Sequence, residues 1–272
     1  MKSAVTISLV PQAKGGPFVF CDGLTDGCDR AAALGFDAVE IFPPSAAAID
    51  PGELQPLLAQ HKLAVAALGT GAGWVVHKLS LTSADSAVRA QARAFIGDIT
   101  DRAGTFAAPA IIGSMQGRWD GEVSRDEALD YLADALHELG ARAASHGQIL
   151  LYEPLNRYET NLFTTAREAA AFLDHRGIAH VKLLCDLFHM NIEETSIAEA
   201  LRAVAPRLGH VHFADSNRRA IGFGHTDMQP IMEALRDIGY TGYLSAEVLP
   251  LPGSQTAAEQ TIRAFRELTA QG

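Results

Sequence analysis

Short runs of aliphatic and β-branched residues recur along the chain, and each is followed by a stretch with helical spacing of apolar positions. The runs are AVTISLV (4–10), FDAVEIF (36–42), KLAVAAL (62–68), PAIIGS (109–114), QILLYE (148–153), VKLLCD (181–186), GHVHFA (209–214) and YLSAEV (243–248). Each is the length of one strand, too short for a buried helix. Between them, SRDEALDYLADALHEL places Leu129, Leu132, Leu136 and Leu139 on one helical face. Its Ser124 and Glu127 stand at capping-box spacing. Thr82 and Asp85 before VRAQARAFIGDI, and Thr165 with Glu168, read as further helix starts, and Gly239 reads as a helix stop.

Eight such units in 272 residues leave about 34 residues for each strand, helix and pair of loops. Alternation of this kind predicts a (β/α)8 TIM barrel, with residues 1–272 forming a single domain. An open doubly wound sheet would place a glycine-rich phosphate turn after its first strand. VPQAKGGPFVFCDG holds no G-x-G-x-x-G.

The barrel reading directs attention to strand ends, because the carboxyl ends of parallel barrel strands line one mouth. The fifth predicted strand ends at Glu153, the sixth at Asp186, the seventh near His212 and the eighth at Glu247. A carboxylate closing an apolar run carries charge toward the core, which is costly unless it is paired or bound to metal. Helix caps or loop ion pairs, such as Glu153 with Arg157, would explain any one of the four. Four in succession predict one divalent ion. Three carboxylates and an imidazole suit Mn²⁺, Mg²⁺, Co²⁺ or Zn²⁺ and do not choose among them; manganese is the expected ion. His210 shares a strand face with His212 and is expected one layer deeper, as a satisfied interior residue. Glu159, His189 and Arg218 follow the ligands on loops above the mouth, and Arg219 competes with Arg218 for that place. Glu193 and Glu194 are expected to open the next helix, where carboxylates suit the dipole.

Charge narrows the partners. There are 22 basic and 32 acidic residues, a net charge of −10, which disfavours nucleic acid. The three cysteines, Cys21, Cys28 and Cys185, fit no zinc or redox spacing and suggest a reducing, cytoplasmic setting. No run of about 18 apolar residues predicts a membrane span, and MKSAVTISLV is too short and too alternating for a signal peptide.

EPLNRYETNLFTT, CDLFHMNIEE, GHVHFADSNRRAIGFGHTD and the late AEV resemble the xylose isomerase-like TIM-barrel superfamily. Within it, the patterns E-x-x-N-R-[FY]-E and D-x-F-H-M-N-I-E-E are most similar to ketose 3-epimerases of the D-tagatose and D-psicose type. The resemblance implies that Glu153, Asp186, His212 and Glu247 hold the metal, and that Glu153 and Glu247 also form an acid–base pair. It implies that Glu159, His189 and Arg218 hold substrate oxygens. FADSNRRAIGFGHTD and IIGSMQGRWDGE depart toward a wider sugar isomerase group that includes inosose-processing enzymes, and the latter is expected to bring Gln116, Arg118 and Trp119 over the mouth, Trp119 against a sugar. The implied activity is epimerisation or isomerisation of a small carbohydrate. The runner-up is a lyase acting on a keto-inositol or 3-keto-glycoside. A homodimer or homotetramer is implied. Zinc endonucleases of the superfamily need histidines from early strands, and the first 120 residues offer only His61 and His77.

Overall fold

A computed structural model describes residues 1–270. Eight parallel strands close into a barrel in chain order: β1 Lys2–Ser8, β2 Ala38–Phe42, β3 Ala64–Gly69, β4 Ala110–Ile112, β5 Leu150–Tyr152, β6 Val181–Asp186, β7 Leu208–His212 and β8 Tyr243–Ala246. β8 pairs back onto β1, from Lys2 opposite Tyr243 to Val5 opposite Ala246. The (β/α)8 expectation holds. Strand limits move by at most two residues, because the apolar runs continue into tight turns that leave the ladder. Two shifts matter. Glu153 lies one residue past β5, although its amide still donates to the Ile112 carbonyl at 3.0 Å. Glu247 lies one residue past β8.

The helices are α1 Leu24–Leu34, α2 Pro51–His61, α3 Ala72–His77, α4 Ser86–Gly104, α5 Arg125–Ser145, α6 Ala166–His175, α7 Leu187–Glu193, α8 Ile197–Ala203, α9 Met228–Asp237 and α10 Ser254–Thr269. The Ser124–Glu127 capping box forms at α5. Thr165 caps α6 through the Glu168 amide, and Asp85, without Thr82, caps α4. Gly239 follows α9 with φ 66°, as a helix stop requires. His61 ends α2 and bonds Asp29 at 2.8 Å. The expectation for Glu193 and Glu194 is corrected. Asp186 starts α7 directly, so Glu193 closes that helix. Glu193 binds Arg157, and Glu194 accepts from the Ala166 amide.

The main core lies between strands and helices, from Val5 and Ile7 on β1 to Ile262 and Phe265 on α10. Inside the barrel a smaller apolar layer joins Ala67, Ile111, Leu151 and Leu184. Strand side chains alternate between faces, so the residues two beyond Leu151 and Leu184 share their inward direction. Those residues are Glu153 and Asp186. The apolar layer is therefore the floor on which the charged layer stands. Cys21, Cys28 and Cys185 are all free. Among the described residues no helix is long and apolar enough to cross a membrane.

β7 carries a bulge. Leu183 faces Leu208 but Leu184 faces His210, so Gly209 is the extra residue. A Cβ on Gly209 would stand 2.8 Å from Leu151 Cδ2 and 2.9 Å from Lys182 Cβ. Gly209→Ala is therefore expected to cost about 1–3 kcal/mol through overpacking, read as a lower urea midpoint. An unchanged midpoint would show that the barrel yields there at no cost.

Candidate metal centre and active site

Four side chains converge at the carboxyl ends of β5 to β8. His212 Nδ1 stands 3.5 Å from Glu153 Oε1, 3.6 Å from Asp186 Oδ2 and 3.7 Å from Glu247 Oε2. All four ligating atoms lie within 4.8 Å of one another. Glu153, Asp186 and His212 are buried. Glu153 Oε1, Asp186 Oδ2 and His212 Nδ1 have no hydrogen-bond partner. Buried polar atoms are seldom left orphaned, and this donor set fits a hard or borderline divalent cation.

The second polar atoms of Asp186 and His212 are committed. Asp186 Oδ1 accepts from the Phe188 amide at 2.8 Å and caps α7. The cap reading and the ligand reading of Asp186 thus describe its two oxygens. His212 Nε2 meets Glu40 Oε1 at 3.0 Å, and His210 Nε2 meets Glu40 Oε2 at 2.8 Å. That contact places the His212 proton on Nε2 and turns the Nδ1 lone pair into the site. His210 is the satisfied interior residue expected.

Charge sets the proton preferences. Burial alone would raise the Asp186 carboxyl; the facing His212 and Arg218 work against it, and the group is held below the usual carboxylate range. Burial likewise opposes ionisation of Glu40, yet His212 and His210 hold it far below that range. Glu247 is raised by burial, which Arg218 and His212 offset only in part. Burial works against a proton on His212, but Glu40 and Glu247 raise its affinity well above the ordinary histidine value. A cation facing Nδ1 would take the place of that proton.

Above the four stand the groups from the adjoining loops. Arg218 Nη2 donates to Glu247 Oε2 at 2.5 Å, and the guanidinium lies within 4 Å of Glu159 and Asp186. It rests 5.0 Å from the Phe188 ring. Arg219 is exposed, so Arg218 is the arginine that enters. His189 is buried, its Nε2 lying 3.8 Å from Glu153 and 3.7 Å from Asp186. Arg157 turns away from Glu153 to Glu193.

A cavity of about 820 Å³ opens over Glu153, His212, Arg218 and Glu247, and reaches Phe18, Phe42 and Trp74 on the early-strand side. Arg118 lines it; Gln116 and Trp119 do not. Gln116 is buried beneath, donating to the Glu153 and Gly113 carbonyls and accepting from Tyr152. The Trp119 indole donates to the Asn161 carbonyl at 2.9 Å. The expectation that both reach over the mouth is corrected, because each spends its polar edge on neighbouring backbone.

Three residues escaped sequence reasoning: Glu40, Asn156 and Asp215. Asp215 is buried and accepts from the amides of Ser216, Gly222, Gly224 and Thr226. It gathers the loop that carries Arg218, whose φ is 57°. The only signal for Glu40 was a charge inside an apolar run.

Residues 28–268 match the xylose isomerase-like TIM barrel family. The chain belongs to that family. It is 33% identical over 261 residues to a D-psicose 3-epimerase of Agrobacterium fabrum strain C58, covering 94% of this chain and 86% of the relative. It is 33% identical over 221 residues to an L-ribulose 3-epimerase of Methylomonas sp. strain DH-1, covering 80% and 75%. A D-allulose 3-epimerase from Methylomonas sp., solved in complex with D-allulose, superposes with a TM-score of 0.80 at 26% identity over 98% of each chain. These names agree with the expected enzyme class, a sugar epimerase.

Burial would raise the Asp215 carboxyl, but its four amide donors outweigh it and hold it below the ordinary range. A lowered folded-state pKa gives stability that is present above the unfolded value, near 4, and is lost as pH falls through the folded value. Asp215→Asn is expected to cost about 2 kcal/mol at pH 7, with the gap to the native chain closing toward pH 3 in thermal melts. A gap independent of pH would show that the carboxylate charge does not hold the loop.

Proposed function

We propose that this chain is a divalent-metal-dependent epimerase of a ketose, inverting a carbon next to the carbonyl. The observation that carries the reading is the placement of two carboxylates. Glu153 follows β5 and Glu247 follows β8, so they approach the His212 nitrogen from different walls of the barrel, at 3.5 and 3.7 Å. Inversion needs a proton removed from one face of a carbon and returned to the other. Two such groups on either side of a bound sugar would meet that need.

Glu153, Asp186, His212 and Glu247 would hold the metal, manganese by preference. A divalent cation there would polarise a carbonyl and acidify the neighbouring C–H. One of Glu153 and Glu247 then takes the proton and the other supplies one from the opposite side. Arg218 holds Glu247 through Oε2 and offers its remaining donors to substrate oxygen. Glu159 and His189 orient hydroxyls, so that the reacting carbon stays between the two carboxylates. The cavity has room for a free six-carbon sugar and extends beyond it toward Trp74. A lyase would begin with the same proton abstraction and then expel a group. The relatives' names favour epimerisation.

A panel of ketoses and inososes in D₂O with added Mn²⁺, followed by NMR, tests the reading. The expected product has unchanged mass apart from one deuterium at the inverted carbon. Loss of water or an aglycone would transfer the chain to the lyases. Glu153→Gln and Glu247→Gln should each reduce deuterium incorporation by roughly 10³-fold. Exchange at the native rate in both variants would remove the acid–base pair.

Chelation gives an independent readout. Stripping metal should lower the melting temperature by several degrees, and Mn²⁺ should restore it in a concentration-dependent way. Melting indifferent to Mn²⁺ up to millimolar concentration would argue against a resident metal.

A further inference from the structure

Asn156 sits inside the E-P-L-N-R-Y-E segment, between Glu153 and Glu159, and has no part in the chemistry above. It is buried, with 2% of its surface exposed. Its amide is fully engaged. Oδ1 accepts from the Tyr158 backbone amide at 3.0 Å. Nδ2 reaches Glu159 Oε1 at 2.9 Å and His189 Nδ1 at 2.7 Å. The Asn156 backbone amide also donates to His189 Nδ1, at 3.3 Å.

These partners fix the orientation of the amide. Turning it over would set its NH₂ against the Tyr158 N–H, donor against donor. It would also set its oxygen against a Glu159 carboxylate oxygen. Both contacts are repulsive, so Nδ2 faces the histidine. Two N–H groups then point at His189 Nδ1, which must therefore carry a lone pair. A neutral imidazole with Nδ1 as acceptor holds its hydrogen on Nε2. That nitrogen is buried, has no hydrogen-bond partner, and is turned toward the gap between Glu153 and Asp186.

We infer that Asn156 is a positioning residue that fixes His189 as an Nε2–H donor to a substrate oxygen and ties Glu159 to the same network. The inference rests on the sugar-epimerase reading for the identity of that oxygen, a hydroxyl or carbonyl beside the reacting carbon. The tautomer itself rests on the network alone. Nothing in the geometry makes His189 a metal ligand: its one free nitrogen carries a hydrogen. Asn156 thus links two loops. It belongs to the turn after β5, where its carbonyl accepts from the Glu159 and Thr160 amides, and it grips a side chain on α7. Arg157 fastens the same turn to the far end of α7 through Glu193. The spacing between Glu159 and His189 is set by these two consecutive residues.

The test uses the intact chain, labelled with ¹⁵N at histidine and supplied with diamagnetic Mg²⁺. His189→Gln identifies the resonances by subtraction. In the native chain the His189 Nδ1 signal is expected to be pyridine-like and the Nε2 signal pyrrole-like. A pyrrole-like Nδ1, alone or on a doubly protonated ring, overturns the inference. In Asn156→Asp an acceptor replaces the donor at the same distance. There Nδ1 should become pyrrole-like, and deuterium exchange into the best ketose should fall roughly 10–100-fold, the usual effect of removing a supporting partner. An Asn156→Asp ring signal that does not move, or exchange within threefold of the native rate, overturns it equally. If the native chain exchanges no ketose at all, the epimerase reading fails, and the native ring spectrum still decides the tautomer.

Discussion

Three carboxylates brought to one buried imidazole nitrogen impose the constraint around which the mouth of this barrel is organised. Two like charges about 4 Å apart repel by about 4 kcal/mol at an effective dielectric constant near 20. Glu153, Asp186 and Glu247 each lie 3.5–3.7 Å from the same His212 atom. Such a set cannot stay ionised without positive charge close by. Arg218 supplies one charge, held against Glu247. His212 supplies a second when its ring is protonated, and a divalent cation would replace that proton with two charges.

The surrounding residues follow from keeping this cluster in place. Asp186 spends its second oxygen on a helix end, capping α7. Glu40 answers two histidines with its two oxygens and so sets which nitrogen of His212 looks into the site. Asp215 draws in four amides and folds the loop that delivers Arg218. Asn156 does for His189 what Glu40 does for His212, with a donor in place of an acceptor. These supporting contacts are all buried or half-buried, where a hydrogen bond is strongest and an unmade one most costly.

This explains what could be read from the chain beforehand. The barrel was legible because a run of strand length followed by a helical pattern repeats eight times. The four central residues were legible because a charge that closes an apolar run needs a reason. Glu40 was not, although it too interrupts an apolar run. Its partners lie 170 and 172 residues away, and only the closed barrel brings β2 and β7 to face one another across the interior. Gln116 and Trp119 were misread for the opposite reason. Their neighbourhood was correct, but side-chain direction in a loop depends on which backbone groups are left unpaired nearby. Asn156 was visible as part of a motif, and its role required the orientation of an imidazole from another loop.

One glycine shows how narrow the margin is between a barrel and this particular site. Side chains on a strand alternate between faces, so a slip of one residue exchanges interior for exterior. Without the bulge at Gly209, the pairing of Leu183 with Leu208 would carry Leu184 opposite Gly209 and Asp186 opposite Val211. With it, Leu184 meets His210 and Asp186 meets His212. Both histidines then stand level with the residues they meet: His210 with the Glu40 carboxylate, His212 with Glu153, Asp186 and Glu247. The bulged position leaves no space for a Cβ among Leu151, Lys182 and Ile149. The apolar layer that carries Glu153 and Asp186 thus also dictates a glycine in β7, and through it the level at which the His212 imidazole arrives.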